Sequence, residues 1–110
     1  LDLGITPMIG TDNVMLNSPN MLRELEFVLK IMSVYYKQYI DPCGLLKMAT
    51  TNVCRFGIND VIQKSVIDEN NFAEFNVFNS FSKNHYINII NRCETKNILY
   101  RINKKIIHNI

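Results

Sequence analysis

The sequence predicts an α/β fold: the last strand and two C-terminal helices of a (β/α)8, or TIM, barrel, followed by a second, mostly stranded region. Three observations predict it. An apolar run from Ile5 to Ile9 leads through Gly10 and Thr11 to Asp12, and the carboxyl end of a short buried strand is where parallel α/β folds place chemical groups. Two helix-start signals, Ser18-Pro19 and Asp41-Pro42, each precede apolar residues at helical spacing. Near residue 59 that period gives way to alternating and hairpin patterns. The chain therefore divides into residues 1–58, the end of the barrel, and residues 59–110.

Residues 3–9 read as a strand carrying Asp12 to the barrel rim, with Gly10 letting the backbone bend close to a ligand. Residues 10–17 read as a loop. Ser18 is expected as N-cap, with Pro19 at the first helical position. Met21, Leu22, Leu25, Val28, Leu29, Met32, Tyr36 and Tyr39 then trace the apolar face of one long amphipathic helix. A second helix is expected from Pro42 to Phe56, with Leu45, Met48, Ala49, Val53 and Phe56 facing inward and Gly57 as its stop.

Further on, Val61-Ile62 and Val66-Ile67 are short extended candidates. Phe72 to Phe78 reads as a strand covered on both sides, because both alternating sets carry bulky apolar residues. Residues 83–93 read as a short helix. Ile98–Ile102 and Lys105–Ile110 read as a hairpin around Asn103-Lys104. The sets Phe72, Phe75, Phe78 and Tyr35, Tyr36, Tyr39 are read as core.

Composition narrows the function classes. The chain has 110 residues, 47% apolar, and a net charge of +2 with its basic residues scattered up to Lys104-Lys105. That pattern leaves no electrostatic footprint for nucleic acid, and no stretch is apolar enough to span a membrane. The sequence opens on Leu1 with no signal-peptide pattern, and reads as starting inside a longer chain. The cysteines, Cys43, Cys54 and Cys93, form no close pair and read as free thiols of a cytoplasmic protein. His85 and His108 lie far along the chain from Asp12 and read as structural residues rather than ligands.

Four stretches together resemble the C-terminal part of the amidohydrolase superfamily, in its deaminase and chlorohydrolase branch. Gly4-Ile5-Thr6-Pro7-Met8-Ile9-Gly10-Thr11-Asp12 is similar to the eighth barrel strand, which ends in Gly-Thr-Asp. Asn17 to Glu26 resembles the loop and helix that follow in archaeal members. Leu45 to Asn52 is similar to a recurring Leu-x-x-Ala-Thr-x-Asn helix. Ala73 to Phe78 resembles a strand of the small composite β-sandwich beside the barrel, whose C-terminal part residues 59–110 would then be. Ser65, Asn70 and Glu74 stand where that family more often has Gly, Gly and Asp.

The resemblance implies a metal-dependent hydrolase acting on a non-peptide carbon–nitrogen bond, most simply the hydrolytic deamination of an aminated heterocycle or nucleoside-like compound. It makes Asp12 both a ligand of a divalent metal, zinc or alternatively iron, and the proton shuttle. The other ligands would come from residues outside the sequence. Asn13 and Asn17 become candidates to line the substrate pocket, while turn and capping chemistry accounts for Ser18. The expected partners are a small-molecule substrate and, through exposed barrel helices, a second copy of the chain, with no nucleic acid or membrane. The 110 residues alone are expected to be inactive. The competing class is a non-catalytic binding or interaction domain, or a decayed remnant of such an enzyme.

Overall fold

In a computed structural model, residues 3–16, 18–55, 67–69, 73–103 and 106–109 are described. Helix α1 spans Met21–Lys30. Its N-cap is Asn20, not Ser18: the Asn20 side chain accepts from the Leu22 and Arg23 amides at 3.1 and 3.4 Å. Pro19 thus lies outside the helix. Glu24 in the first turn and Lys30 in the last suit the helix dipole.

The long helix expected to reach Tyr39 does not stay α-helical. Residues Ile31–Tyr35 widen into a π turn, with the Tyr36 amide bonded to the Ile31 carbonyl. Lys37 then takes the left-handed conformation, φ +51°, and the Gln38 amide closes the end on the Met32 carbonyl. The wider turn rotates the chain off its 3.6 period. Tyr35, Tyr36 and Tyr39 consequently face outward instead of joining the core. Tyr35 and Tyr36 meet edge to face, ring centres 5.2 Å apart.

Helix α2, Pro42–Ala49, starts as the sequence predicts. Asp41 caps it, accepting from the Cys43 and Gly44 amides, and Pro42 opens the first turn. It ends early. Thr50 leaves helical geometry, its hydroxyl donating to the Leu46 carbonyl at 2.9 Å, and a short helix α3, Thr51–Arg55, follows. The single helix expected to Phe56 is therefore broken at two adjacent β-branched threonines, and Cys43 and Cys54 lie on different helices. Phe56 and Gly57 lie outside the described residues.

The second region holds a three-stranded antiparallel sheet in sequence order: β1 Phe75–Phe78, β2 Ile98–Asn103 and β3 Ile106–Asn109. Phe75 faces Ile102 and Val77 faces Tyr100. Phe78 then pairs with Ile98, skipping Leu99 as a bulge. β2 and β3 form the expected hairpin, Asn103 opposite Ile106. Strand β1 is shorter than expected and is not covered on both sides, since Asn76 is exposed. The candidates at Val61-Ile62 and Val66, with Phe72, lie outside the described residues. The helix expected over 83–93 is a single α turn, α4, His85–Ile87, running into a π turn at Asn88–Arg92.

The core is small. Leu25 of α1, Leu45 and Met48 of α2, and Ile90 are buried together, with Ile9, Met21, Val28, Leu29, Ile40, Leu46 and Ala49 packed around them. The radius of gyration is 15.0 Å, against about 13 Å for a compact domain of this length. That looseness agrees with the amount of apolar side chain left facing out.

Candidate functional site

The residues before Asp12 do not form the expected strand. Residues 5–13 carry no regular secondary structure, because a strand needs a paired neighbour and none lies beside it among the described residues. The helical layer holds the segment instead. The Ile9 amide donates to the Met48 carbonyl at 3.0 Å, a carbonyl near the end of α2 that would otherwise lack a partner. The Asn52 side-chain amide, from α3, donates to the Pro7 carbonyl at 2.9 Å. A carbonyl at one residue and an amide two residues later are the groups through which a strand bonds one parallel neighbour. The corner between α2 and α3 supplies that neighbour's acceptor and donor.

Beyond Ile9 the chain turns outward. Gly10 has ordinary backbone geometry, and a Cβ there would meet no atom within 4 Å. No protein group among the described residues crowds Gly10. The residue that needs the left-handed region is Asn13, φ +54°, and asparagine is one of the few side chains that tolerates it. Its carbonyl accepts from the Leu16 amide, closing a turn.

Asp12 sits between tether and turn, exposed, with Oδ1 accepting from the Asn13 amide at 2.6 Å. Before and after it along the chain, Ile5 is 64%, Met8 52% and Met15 93% exposed, with Leu3, Val14 and Leu16 also open. Ile9 instead packs on the core. Asn13 is exposed and serves the turn. Asn17 lies outside the described residues. Ser18 is exposed at the rim of an open groove of about 660 Å³ between the start of α1, the end of α2 and the sheet.

No group of three His, Cys, Asp or Glu side chains able to hold a metal ion occurs among the described residues. Asp12 is an exposed carboxylate, a donor type that zinc and iron accept. His85 is exposed on α4. The side chain of His108 is outside the described residues; its backbone lies in β3 opposite Arg101.

The groups with perturbed proton equilibria lie in the second region. Burial raises the pKa of the Cys93 thiol. The hydrogen bond to Cys43, then the charge of Cys43, raises that of the Tyr86 phenol. The hydrogen bond and charge of Lys96, at 2.9 Å, lower that of Glu94. Cys43, Cys54 and Cys93 are free thiols.

Sequence reasoning missed Asn52 and Asn88 as anchors. Asn88 is 6% exposed, bonded to the Phe81 amide, the Asn79 carbonyl and the Cys93 thiol. The signal was present, because asparagine is a poor helix former and both sit in helical segments.

Comparison with known proteins finds relatives but no family model and no solved structure that matches. A protein of Methanothermobacter thermautotrophicus named "Putative aminohydrolase" is 42% identical over 103 residues, covering 94% of this chain and 26% of that protein. An uncharacterized protein of Methanocaldococcus jannaschii is 32% identical over 96 residues, covering 83% of this chain and 23% of that protein. The chain spans about a quarter of the length of the curated relatives it matches. No helix among the described residues is long and apolar enough to cross a membrane.

Proposed function

We propose that this chain is part of a hydrolase that cleaves a non-peptide carbon–nitrogen bond and releases ammonia from an aminated heterocycle or nucleoside-like compound. The observation that carries the reading is the 42% identity, along 94% of the chain, to a protein named an aminohydrolase. Asp12 is the residue assigned to the chemistry. It is exposed, held on a short lead from a double tether, and its carboxylate can accept a proton at Oδ2 while Oδ1 receives the Asn13 amide. A carboxylate so placed acts as base toward a water and then as acid toward the departing nitrogen. A divalent metal held by Asp12 and by donors from elsewhere would supply an activated water. Asn13 and Asn17 remain candidates for contacts to the substrate.

The barrel placement of residues 1–58 belongs to the same proposal. It requires a neighbouring strand on the edge of residues 5–9 that the α2–α3 corner leaves open. The test is ammonia release by the complete natural polypeptide. Adenosine derivatives, cytosine, guanine and aminated triazines would be assayed with and without chelator. Chelator-sensitive ammonia release from one of them is expected. Activity confined to hydantoins, dihydropyrimidines or phosphotriesters would overturn the substrate class, and no hydrolysis of any of them would overturn the enzyme reading.

A further inference from the structure

We propose that the α2–α3 corner is a positioning device for Asp12 and that Asn52 is its key side chain; this rests on the reading of Asp12 given above. Pro7 has its φ locked by its ring. Its carbonyl is held by Asn52 and, two residues on, the Ile9 amide is held by Met48. Two bonds two residues apart fix direction as well as place, which a single bond does not. Only Gly10 and Thr11 separate this anchor from Asp12, and Thr11 is half-buried. On the other side the chain closes a local turn from Asn13 to Leu16. Asp12 is therefore held on a two-residue lead from a fixed anchor although its own side chain is exposed.

The break at Thr50 explains how one corner provides both anchors. Were α2 to run on unbroken, the Met48 carbonyl would accept from the amide of residue 52. Thr50 leaves helical geometry, which frees that carbonyl for Ile9 and starts α3 at Thr51, with Asn52 in its first turn. Thr50 itself is held by its hydroxyl on the Leu46 carbonyl and its amide on the Lys47 carbonyl. The tether floors a shallow cavity of about 200 Å³ lined by Ile5, Thr6, Pro7, Lys47, Met48 and Arg55. Movement of the loop toward the helices would close that space.

The experiment compares Asn52→Ala and Asn52→Gln with the parent in the complete natural polypeptide, by hydrogen exchange and steady-state kinetics. Alanine removes the donor while favouring helix, so α3 is not weakened. Exchange across residues 6–13 is expected to quicken about tenfold in Asn52→Ala, with α1 unchanged, since local opening costs less than global unfolding. Ammonia release should lose about 10- to 100-fold in kcat with KM little changed, as misplacement of a reacting group does. Asn52→Gln, which keeps an amide donor, should recover part of both.

Unchanged exchange over 6–13, equal quickening in α1, or a rise in KM at constant kcat would each overturn the proposal. If Asn52→Ala fails to fold, Asn52→Asp carries the same measurements, since an ionised carboxylate cannot donate to Pro7. Undiminished turnover in Asp12→Asn would instead overturn the functional reading of Asp12, and the exchange data alone would then judge the tether.

Discussion

Asn88 and Asn52 both hold a loop against the helical layer, and they hold it differently. Asn88 uses its whole amide: Oδ1 accepts from Phe81, Nδ2 reaches the Asn79 carbonyl and the Cys93 sulfur, and the residue is almost fully buried. No buried side-chain nitrogen or oxygen among the described residues lacks a partner. Asn52 makes one such bond, half-buried, at the foot of a segment that then turns outward with Asp12 at its crest. The segment of residues 79–93 turns its Asn88 amide back onto its own backbone and packs Ile90 into the core. The loop of residues 3–16 keeps its anchor satisfied while presenting a carboxylate and six open apolar side chains. A loop that offers groups outward from a rigid support is the arrangement binding and catalytic segments have.

Three substitutions probe how the chain is held, the first across the two loops and the others at the two ends of the first helical segment. Asn88→Leu should cost the most, about 2–3 kcal/mol, because it strands the Phe81 amide and leaves the Asn79 carbonyl only the weak Cys93 thiol donor. Its thermal midpoint should fall while exchange over residues 6–13 stays as in the parent. A fall confined to residues 6–13 would mean that the two loops are not separately held. Asn20→Ala should cost about 1 kcal/mol by stripping the cap of α1, read as a lower denaturant midpoint with an unchanged slope. If Ser18 were the cap after all, Asn20→Ala would be neutral and Ser18→Ala would not.

Lys37→Gly should have the smallest effect and the opposite sign. It would stabilise by about 0.5 kcal/mol, since glycine adopts positive φ without steric penalty but loses more entropy on folding. A destabilised variant would show that Lys37 contributes through its side chain.

What the sequence made legible was local chemistry. Asp41-Pro42 marked the start of α2, the spacing of Leu25, Val28 and Leu29 marked the inner face of α1, and the apolar runs around Asn103 marked the hairpin. What it concealed were changes of helical pitch. The π turn after Lys30 and the break at Thr50 arise from bonds such as Tyr36 to Ile31 and Thr50 to Leu46, which leave no periodic trace. They decided that the tyrosines face out and that Asn52 reaches Pro7. The strand expected before Asp12 depended on a neighbour that local patterning cannot supply. At the candidate site, Asp12 was legible as the residue to watch, but its support was not, because Asn52 lies forty-five positions from Pro7.

The most direct test of the central claim is the turnover of Asp12→Asn in the complete natural polypeptide, assayed by ammonia release beside its melting curve. The amide keeps the shape of the side chain and its carbonyl can still accept from the Asn13 amide, but it cannot act as a base at neutral pH. The account predicts a loss of at least about 100-fold in kcat, the low end for removing a general acid–base group, at an unchanged melting temperature. A variant that folds normally and keeps most of the parent rate would contradict it.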